Sequence, residues 1–265
     1  RTPTFEDLAR ILYFTAGITK KKTYPGGEMY FRAASCTGAL YEIELYIVCG
    51  DLPDLPAGVY HFGPGDFALR RLREGDHRGL LGLNAPVVVV CTGTYWRNAW
   101  KYRARTYRHF GWDNGTILAN MLAMTGALQL PANVRCGFVD AAENSLLDLD
   151  TEREVAFSLV TIGESGADVP PAPPMSPLHL PTVPLSKTEV DYPELREIHR
   201  ASSLEAGNDS WGRQAVGAVY DRPVFCAESR GASRANRVRA SESDAVPNIR
   251  PAIIARIEVT RGVSS

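Results

Sequence analysis

Residues 114–128 read NGTILANMLAMTGAL, a run that is apolar nearly all round at helical spacing. A helix of that kind has to be wrapped by the rest of its chain, so the run predicts a central buried helix in a layered domain. Its natural companion is Ala85–Cys91 (APVVVVC), too β-branched for a comfortable helix and readable as a buried strand. Tyr41–Cys49 (YEIELYIVC) predicts a second strand, and Val155–Ile162 a last one. Val59–Phe62 and Phe67–Leu72 flank Gly63-Pro64-Gly65-Asp66, which predicts a hairpin.

The helices carry their own signals. Thr4 stands as an N-cap with Asp7 three positions on, a capping box, and Phe5, Leu8, Ile11 and Leu12 share one face before Gly17. Trp96–Arg108 predicts an aromatic and basic helix. Asp140 is expected to cap a short helix, with Glu143 completing its box. Helices do not alternate strictly with strands. The expected fold class is therefore α+β, a mainly antiparallel central sheet flanked by helices, over residues 1–165.

Composition changes near residue 165. The segment 166–193 is rich in proline and predicts a stiff linker, or a strap over a surface. Residues 201–244 are dominated by Ser, Ala, Arg, Gly and Glu and bury little, so order is not expected there. Lys+Arg 29 against Asp+Glu 30 leaves a net charge of −1, which gives no global field for nucleic acid. No apolar run approaches the roughly 20 residues of a membrane span. Five scattered cysteines without a C-x-x-C argue against a zinc ribbon or a disulfide scaffold and point to a reducing, cytoplasmic setting.

No dinucleotide fingerprint, P-loop, H-E-x-x-H or G-x-S-x-G is present, and the five histidines share no ligand spacing, so no metal site is expected. Four local features remain. Ala33-Ala34-Ser35-Cys36-Thr37-Gly38-Ala39 is a run of small side chains that would let backbone approach a flat ligand, although an ordinary tight loop reads the same way. Trp100-Lys101-Tyr102 places the sole lysine between Lys22 and Lys187 beside aromatic rings, as a base would be placed, or as a solvated helix face would. Asn120 inside the apolar run needs a partner, more often a neighbouring loop than a ligand. Cys136-Gly137-Phe138 offers a backbone N–H unobstructed by a side chain.

Taken in order, these pieces resemble a known family. Residues 35–46 (SCTGALYEIELY) are similar to the P-S-x-G-A-L-Y-P-x-E-L-Y segment of nitroreductase-like flavoproteins, in particular the SagB-type azoline dehydrogenases. Residues 55–62 (LPAGVYHF) resemble that branch's L-P-P-G-L-Y-H-Y hairpin. Trp100-Lys101-Tyr102 with Arg105, Tyr107 and Arg108 matches W-K-Y-x-x-R-x-Y-R, and Asp113, Gly115 and Asn120 match the D-x-G-x-x-x-x-N helix that follows. Gly137-Phe138 and residues 146–150 (LLDLD) complete the series.

The resemblance implies a nitroreductase-like sandwich acting as a homodimer, or as a pseudo-dimer with a second copy, that binds FMN. Ser35, Cys36, Thr37, Gly38 and Ala39 would lie against the isoalloxazine, Cys136-Gly137 would supply an N–H near N5, and Lys101 and Tyr102 would be catalytic. The implied reaction is oxidation of thiazoline or oxazoline rings in a modified peptide, alongside a cyclodehydratase. The alternatives are an NAD(P)H-dependent nitro or quinone reductase and a flavin-free, peptide-binding partner module. Departures are Ala34 and Glu42 at two family prolines, and Thr116 at the usual histidine. The family's R-R-x-S-x-R-x-F phosphate segment would precede Arg1. Residues 192–200 resemble the connector of tandem members, and residues 261–265 resemble the start of a second copy, so 194–265 is expected to be a partly disordered connector leading into that copy.

Overall fold

The computed structural model describes residues 1–164, 168–180 and 183–205, and the backbone of 259–261. The chain opens with α1 (Phe5–Ala16), and the capping box is present in both directions between Thr4 and Asp7. The N–H of Gly17 bonds to the carbonyls of Leu12 and Tyr13 and ends the helix. Its φ is −64°, so the position does not need left-handed freedom. It needs space, because a Cβ there would sit 2.6 Å from the Tyr13 carbonyl oxygen. A hairpin follows, β1 (Ile18–Tyr24) and β2 (Gly27–Arg32), antiparallel and largely exposed. The apolar-periodicity reading passed over this hairpin because neither of its faces is buried.

The main sheet is built from β3 (Ile43–Cys49), β4 (Gly58–Gly63), β5 (Ala68–Glu74), β6 (Val87–Thr94), β7 (Ala132–Arg135), β8 (Glu154–Ile162) and β9 (Val259–Arg261). Its order is β7-β8-β6-β3-β4-β5-β9, antiparallel except where β9 pairs parallel with β5. The fold class is the expected α+β one. β3 is buried along its whole length, and Val87, Val88, Val89 and Val90 are fully buried. Alternation sends Leu45, Ile47, Val87 and Val89 to one face, and Tyr46, Val48, Val88 and Val90 to the other. Each such aliphatic side chain contributes roughly 1.5–3 kcal/mol by leaving water.

Between β5 and β6 lies a short helix, α2 (Arg78–Leu81). The expected single helix over 96–108 is broken. α3 (Tyr95–Tyr102) gives way to a 3-10 turn at Arg103–Arg105, and α4 (Thr106–Ala127) begins after it. Arg103 turns the chain with φ 54° and ψ −139°. The Thr106 hydroxyl and the His109 ring both bond back to Asn98 Oδ1, at 2.9 and 3.0 Å, which folds the start of α4 onto α3.

The long helix does lie across the sheet, but it is not buried all round. Phe110, Ile117, Met121 and Met124 face the core, while Trp112, Gly115, Ala119, Leu122 and Gly126 are exposed. α5 (Asp140–Leu147) also departs from expectation. Its N-cap is Val139, without a side-chain cap bond. Asp140 is already inside the helix, and its carboxylate accepts the Leu204 N–H at 2.8 Å.

The described parts of the proline-rich segment, 168–180 and 183–192, run over the domain as a strap. Leu178 and His179 donate N–H bonds to Asp148, Arg73 donates to the Ser176 carbonyl at 2.7 Å, and Trp96 donates its indole N–H to Ser186 at 2.7 Å. It leads into α6 (Pro193–Ser202), whose Leu195 is 3% exposed and belongs to the main core. The region 206–258 and residues 262–265, which include most of the composition-poor stretch and of the expected second-copy start, lie outside the described residues.

Candidate functional site

The small-residue loop leaves β2 and enters β3 through a 3-10 turn at Thr37–Ala39. Gly38 has φ 65°, and Ala39 and Tyr41 also stand at positive φ, so three residues within four hold left-handed backbone. What faces Gly38 is the aromatic-basic helix. A Cβ at Gly38 would lie 2.9 Å from the Tyr102 hydroxyl and 3.2 Å from Lys101 Nζ. The two features singled out in the sequence, 65 positions apart at their centres in the chain, therefore meet at one residue without a side chain. Lys101 Nζ also stands 5.2 Å from the centroid of the Tyr102 ring.

Below this contact runs a buried polar chain. Tyr102 meets the His109 ring edge-on at 4.4 Å between centroids. His109 bonds to Asn98 Oδ1, and Asn98 donates its amide to Glu42 Oε1 at 3.0 Å. The other Glu42 oxygen takes the Cys36 thiol at 3.2 Å. Asp113, on α4, accepts the Thr37 N–H at 2.9 Å and the Thr37 hydroxyl at 2.9 Å, and it lies 3.3 Å from Cys36 Sγ. Loop, strand, α3 and α4 are thus tied together under the Lys101–Tyr102 couple.

The electrostatics follow from burial. Glu42 is fully buried. Its carboxyl is pushed up to about 7, first by desolvation and then by Asp113 beside it. The Cys36 thiol is pushed up by burial and by the Glu42 and Asp113 carboxylates. His109 is lowered by burial, against the pull of Asp113. On the next strand position of the same parity, burial alone would raise Glu44, but His61, Arg97 and Arg32 outweigh it and hold the carboxyl down at about 2.

Ser35 and Gly38 are exposed, and Cys36, Thr37 and Ala39 are half-buried. The Cys36 thiol is bonded toward Glu42 and Asp113, beneath the loop. Cys136 and Gly137 follow the edge strand β7, and β8 and β6 separate that strand from β3. No hydrogen bond among the described residues joins them to residues 35–39. Asn120 bonds to the Phe14 carbonyl of α1 at 3.1 Å, so its partner is a helix rather than a loop.

Sequence reasoning passed over Asn98 and His109 and read Glu42 only as a replaced proline. The available signal was two acids, Glu42 and Glu44, spaced two apart at the head of an otherwise apolar strand. Beside the loop and the couple, an open cleft of about 500 Å³ is lined by Leu40, Trp96, Arg97, Trp100 and the strap residues Leu185, Ser186 and Thr188.

No protein-family model matches the chain. A Methanocaldococcus jannaschii protein named as a candidate nitroreductase is 24% identical over 169 residues, which are 60% of this chain and 80% of that protein. Among solved structures, a candidate nitroreductase of Anabaena variabilis superposes with a TM-score of 0.63 at 24% identity, over 78% of this chain and 46% of that one. The chain thus spans about half the length of the Anabaena protein. The Escherichia coli microcin synthetase McbBCD complex, solved with truncated pro-MccB17 bound, gives a TM-score of 0.53 at 20% identity, over 63% of this chain and 66% of the matched one. A candidate nitroreductase of Ralstonia eutropha gives 0.51 at 20% identity, over 63% and 76%. The sheet order, the helix lying across it and these superpositions agree: the fold of this chain is nitroreductase-like.

Proposed function

We propose that the chain is an FMN-dependent oxidoreductase of the SagB type, which oxidises thiazoline or oxazoline rings in a modified peptide to azoles. The observation that carries this reading is the meeting of Lys101 and Tyr102 with the small-residue loop at Gly38. The residues present fit a flat cofactor. Ser35 and Gly38 are exposed, Gly38 has no Cβ where Tyr102 and Lys101 approach it, and the loop's other side chains, Ser35, Cys36, Thr37 and Ala39, are all small. Residues 35–39 would hold it, and when bound it supplies the acceptor for the hydride.

The chain's own residues do the rest. Lys101 takes the ring proton onto Nζ. The Tyr102 hydroxyl orients the ring heteroatom, and its own position is set by His109 packed edge-on against it. The cleft beside Leu40 and Trp100 accommodates the flanking peptide and gives it aromatic walls. The exposed side of α4, with Trp112, Gly115, Ala119, Leu122 and Gly126, is assigned to a second copy of the domain. Cyclodehydratase partnership rests on the family resemblance, and the likeness to the McbBCD complex, solved with truncated pro-MccB17 bound, supports work within an assembly. Residence in the cytoplasm rests on cysteine usage, and among the described residues no helix is long and apolar enough to cross a membrane.

The test is reconstitution of the full chain with FMN, followed by incubation with an azoline-bearing peptide. The expected results are a retained flavin spectrum and a product lighter by two hydrogen atoms, lost in Lys101→Ala. Failure to retain flavin overturns the proposal. A second reading, NAD(P)H-dependent reduction of nitro compounds or quinones, draws on the naming of the Methanocaldococcus and Anabaena proteins. It is favoured if NAD(P)H oxidation is unchanged in Lys101→Ala.

A further inference from the structure

We propose that Cys36, Glu42 and Asp113 form a binding site for a zinc-class divalent cation beneath the small-residue loop. Three side chains that can each lose a proton converge there, and one ligand atom from each lies within 4.8 Å of the others. Cys36 Sγ is 3.2 Å from Glu42 Oε2 and 3.3 Å from Asp113 Oδ2. A tetrahedral zinc ion with Zn–S of 2.3 Å and Zn–O near 2.0 Å has ligand-to-ligand edges of about 3.5 Å. The two sulfur–oxygen spacings are therefore close to the edges of a coordination tetrahedron, and the carboxylate oxygens lie within 4.8 Å of each other.

The surroundings supply a hydrogen-bond donor to each ligand. The Tyr41 N–H donates to Cys36 Sγ at 3.0 Å. The Thr37 N–H and hydroxyl donate to Asp113, and the Asn98 amide donates to Glu42. Fixing of ligands by outer donors is what metal sites require. Neither carboxylate is in an ion pair among the described residues. Arg32 lines the cavity beside Cys36 and Asp113, but its guanidinium is bonded to the Ile43 carbonyl and paired with Glu44. One thiol proton can satisfy only one of the two carboxylates it touches.

A second observation points to a ligand. Thr15 Oγ1 is fully buried and has no hydrogen-bond partner among the described residues. Thr15 lines, with Cys36 and Asp113, a cavity of about 10 Å³, the size of a single water or ion. A hydroxyl or a water in that cavity completes four-coordination. The thiol among the ligands selects a borderline cation over magnesium or calcium. On binding, the Cys36 S–H bond breaks, its proton goes to solvent, and the thiolate electron pair is donated to the metal; nothing is oxidised or reduced. The ion would clamp the loop at 35–39 to the head of β3 and to α4.

The Cys36 thiol turns beneath the loop, toward Glu42 and Asp113, so the test needs no flavin and uses the metal-free full chain and the metal alone. Titration with cobalt(II) is expected to give one site per chain. It should show a thiolate-to-metal charge-transfer band and the visible bands of four-coordinate cobalt, both removed by zinc. Cys36→Ser should lose the charge-transfer band, and Glu42→Gln, which removes a ligand, should weaken binding by at least the roughly tenfold that loss of an outer-shell partner costs. A charge-transfer band that survives Cys36→Ser, or no saturable binding, overturns the proposal. A measurement on the unmodified chain covers poorly folding variants. Zinc should slow alkylation of Cys36 severalfold while leaving the exposed Cys136 unchanged, and an unchanged Cys36 rate also overturns it.

Discussion

Asn98 donates its side-chain amide to the buried carboxylate of Glu42 at 3.0 Å, and this bond joins the helix that carries Lys101 and Tyr102 to the strand that leaves the small-residue loop. The same amide's oxygen collects the Thr106 hydroxyl and the His109 ring. Asn98 is fully buried, so none of these groups has water as an alternative.

Removing that hub should cost more than a surface amide would. In Asn98→Ala, the Glu42 Oε1, Thr106 and His109 groups lose a partner together. The expected loss is about 2–4 kcal/mol, from one or two buried groups left unsatisfied. Urea unfolding followed by circular dichroism measures it. A shift below 0.5 kcal/mol would show that the polar chain does not hold α3 to β3.

Gly38→Ala separates stability from site geometry. Left-handed backbone costs an ordinary residue about 1–2 kcal/mol. The new Cβ would also stand 2.9 Å from the Tyr102 hydroxyl, which must move. The melting temperature should fall by only a few degrees, whereas FMN retention or azoline oxidation should drop by more than tenfold. Equal activity in the variant would detach the loop from the Lys101–Tyr102 couple.

Much of this was legible from the chain, for identifiable reasons. β3 and β6 are apolar enough to be strands and little else, and the Thr4–Asp7 box marks the first helix to the residue. The break at Arg103 was not legible, because its cause is a tertiary bond network centred on Asn98 rather than a local breaker. The β1–β2 hairpin was missed because lysines fill β1 and its faces are open to water. Asp140 looked like a cap because its spacing to Glu143 is that of a box, but Leu204, 64 residues on, takes its carboxylate. At the site, the loop and the Lys-Tyr pair were legible as residue types. The acids beneath them were not, since Glu42 and Asp113 acquire their meaning only when α4 crosses the strand.

Glu143 predicts a pH dependence of stability. Its side chain is 2% exposed and one carboxylate oxygen has no partner among the described residues. Burial pushes its carboxyl up to about 7. Because the folded state holds the proton more tightly than the unfolded one, stability is present at low pH and is lost as pH rises from about 4.5 to about 7. The loss is at most about 3 kcal/mol. Glu143→Gln should remove this part of the slope, so the variant should melt above the wild type at pH 8 and level with it near pH 4.5. Parallel melting curves across that range would place Glu143 in a more polar setting.

Leu195 and Arg196 sit side by side on α6, and they distinguish a docked helix from a loose connector. Leu195 is 3% exposed within the main core, and its truncation to alanine should cost about 2–4 kcal/mol. Arg196 bridges Glu152 at 2.8 Å and Asp191 at 2.5 Å, but both acids are well exposed, so Arg196→Ala should cost less than about 1 kcal/mol. Thermal melting of the two variants reads the difference directly. If instead both changes are neutral, α6 is not part of the cooperative unit, and the strap of residues 168–180 and 183–192 would end in a free arm. A large loss for Leu195→Ala alone makes the helix an integral layer of the domain, packed on α4 with the Tyr107 hydroxyl meeting His199 at 3.2 Å.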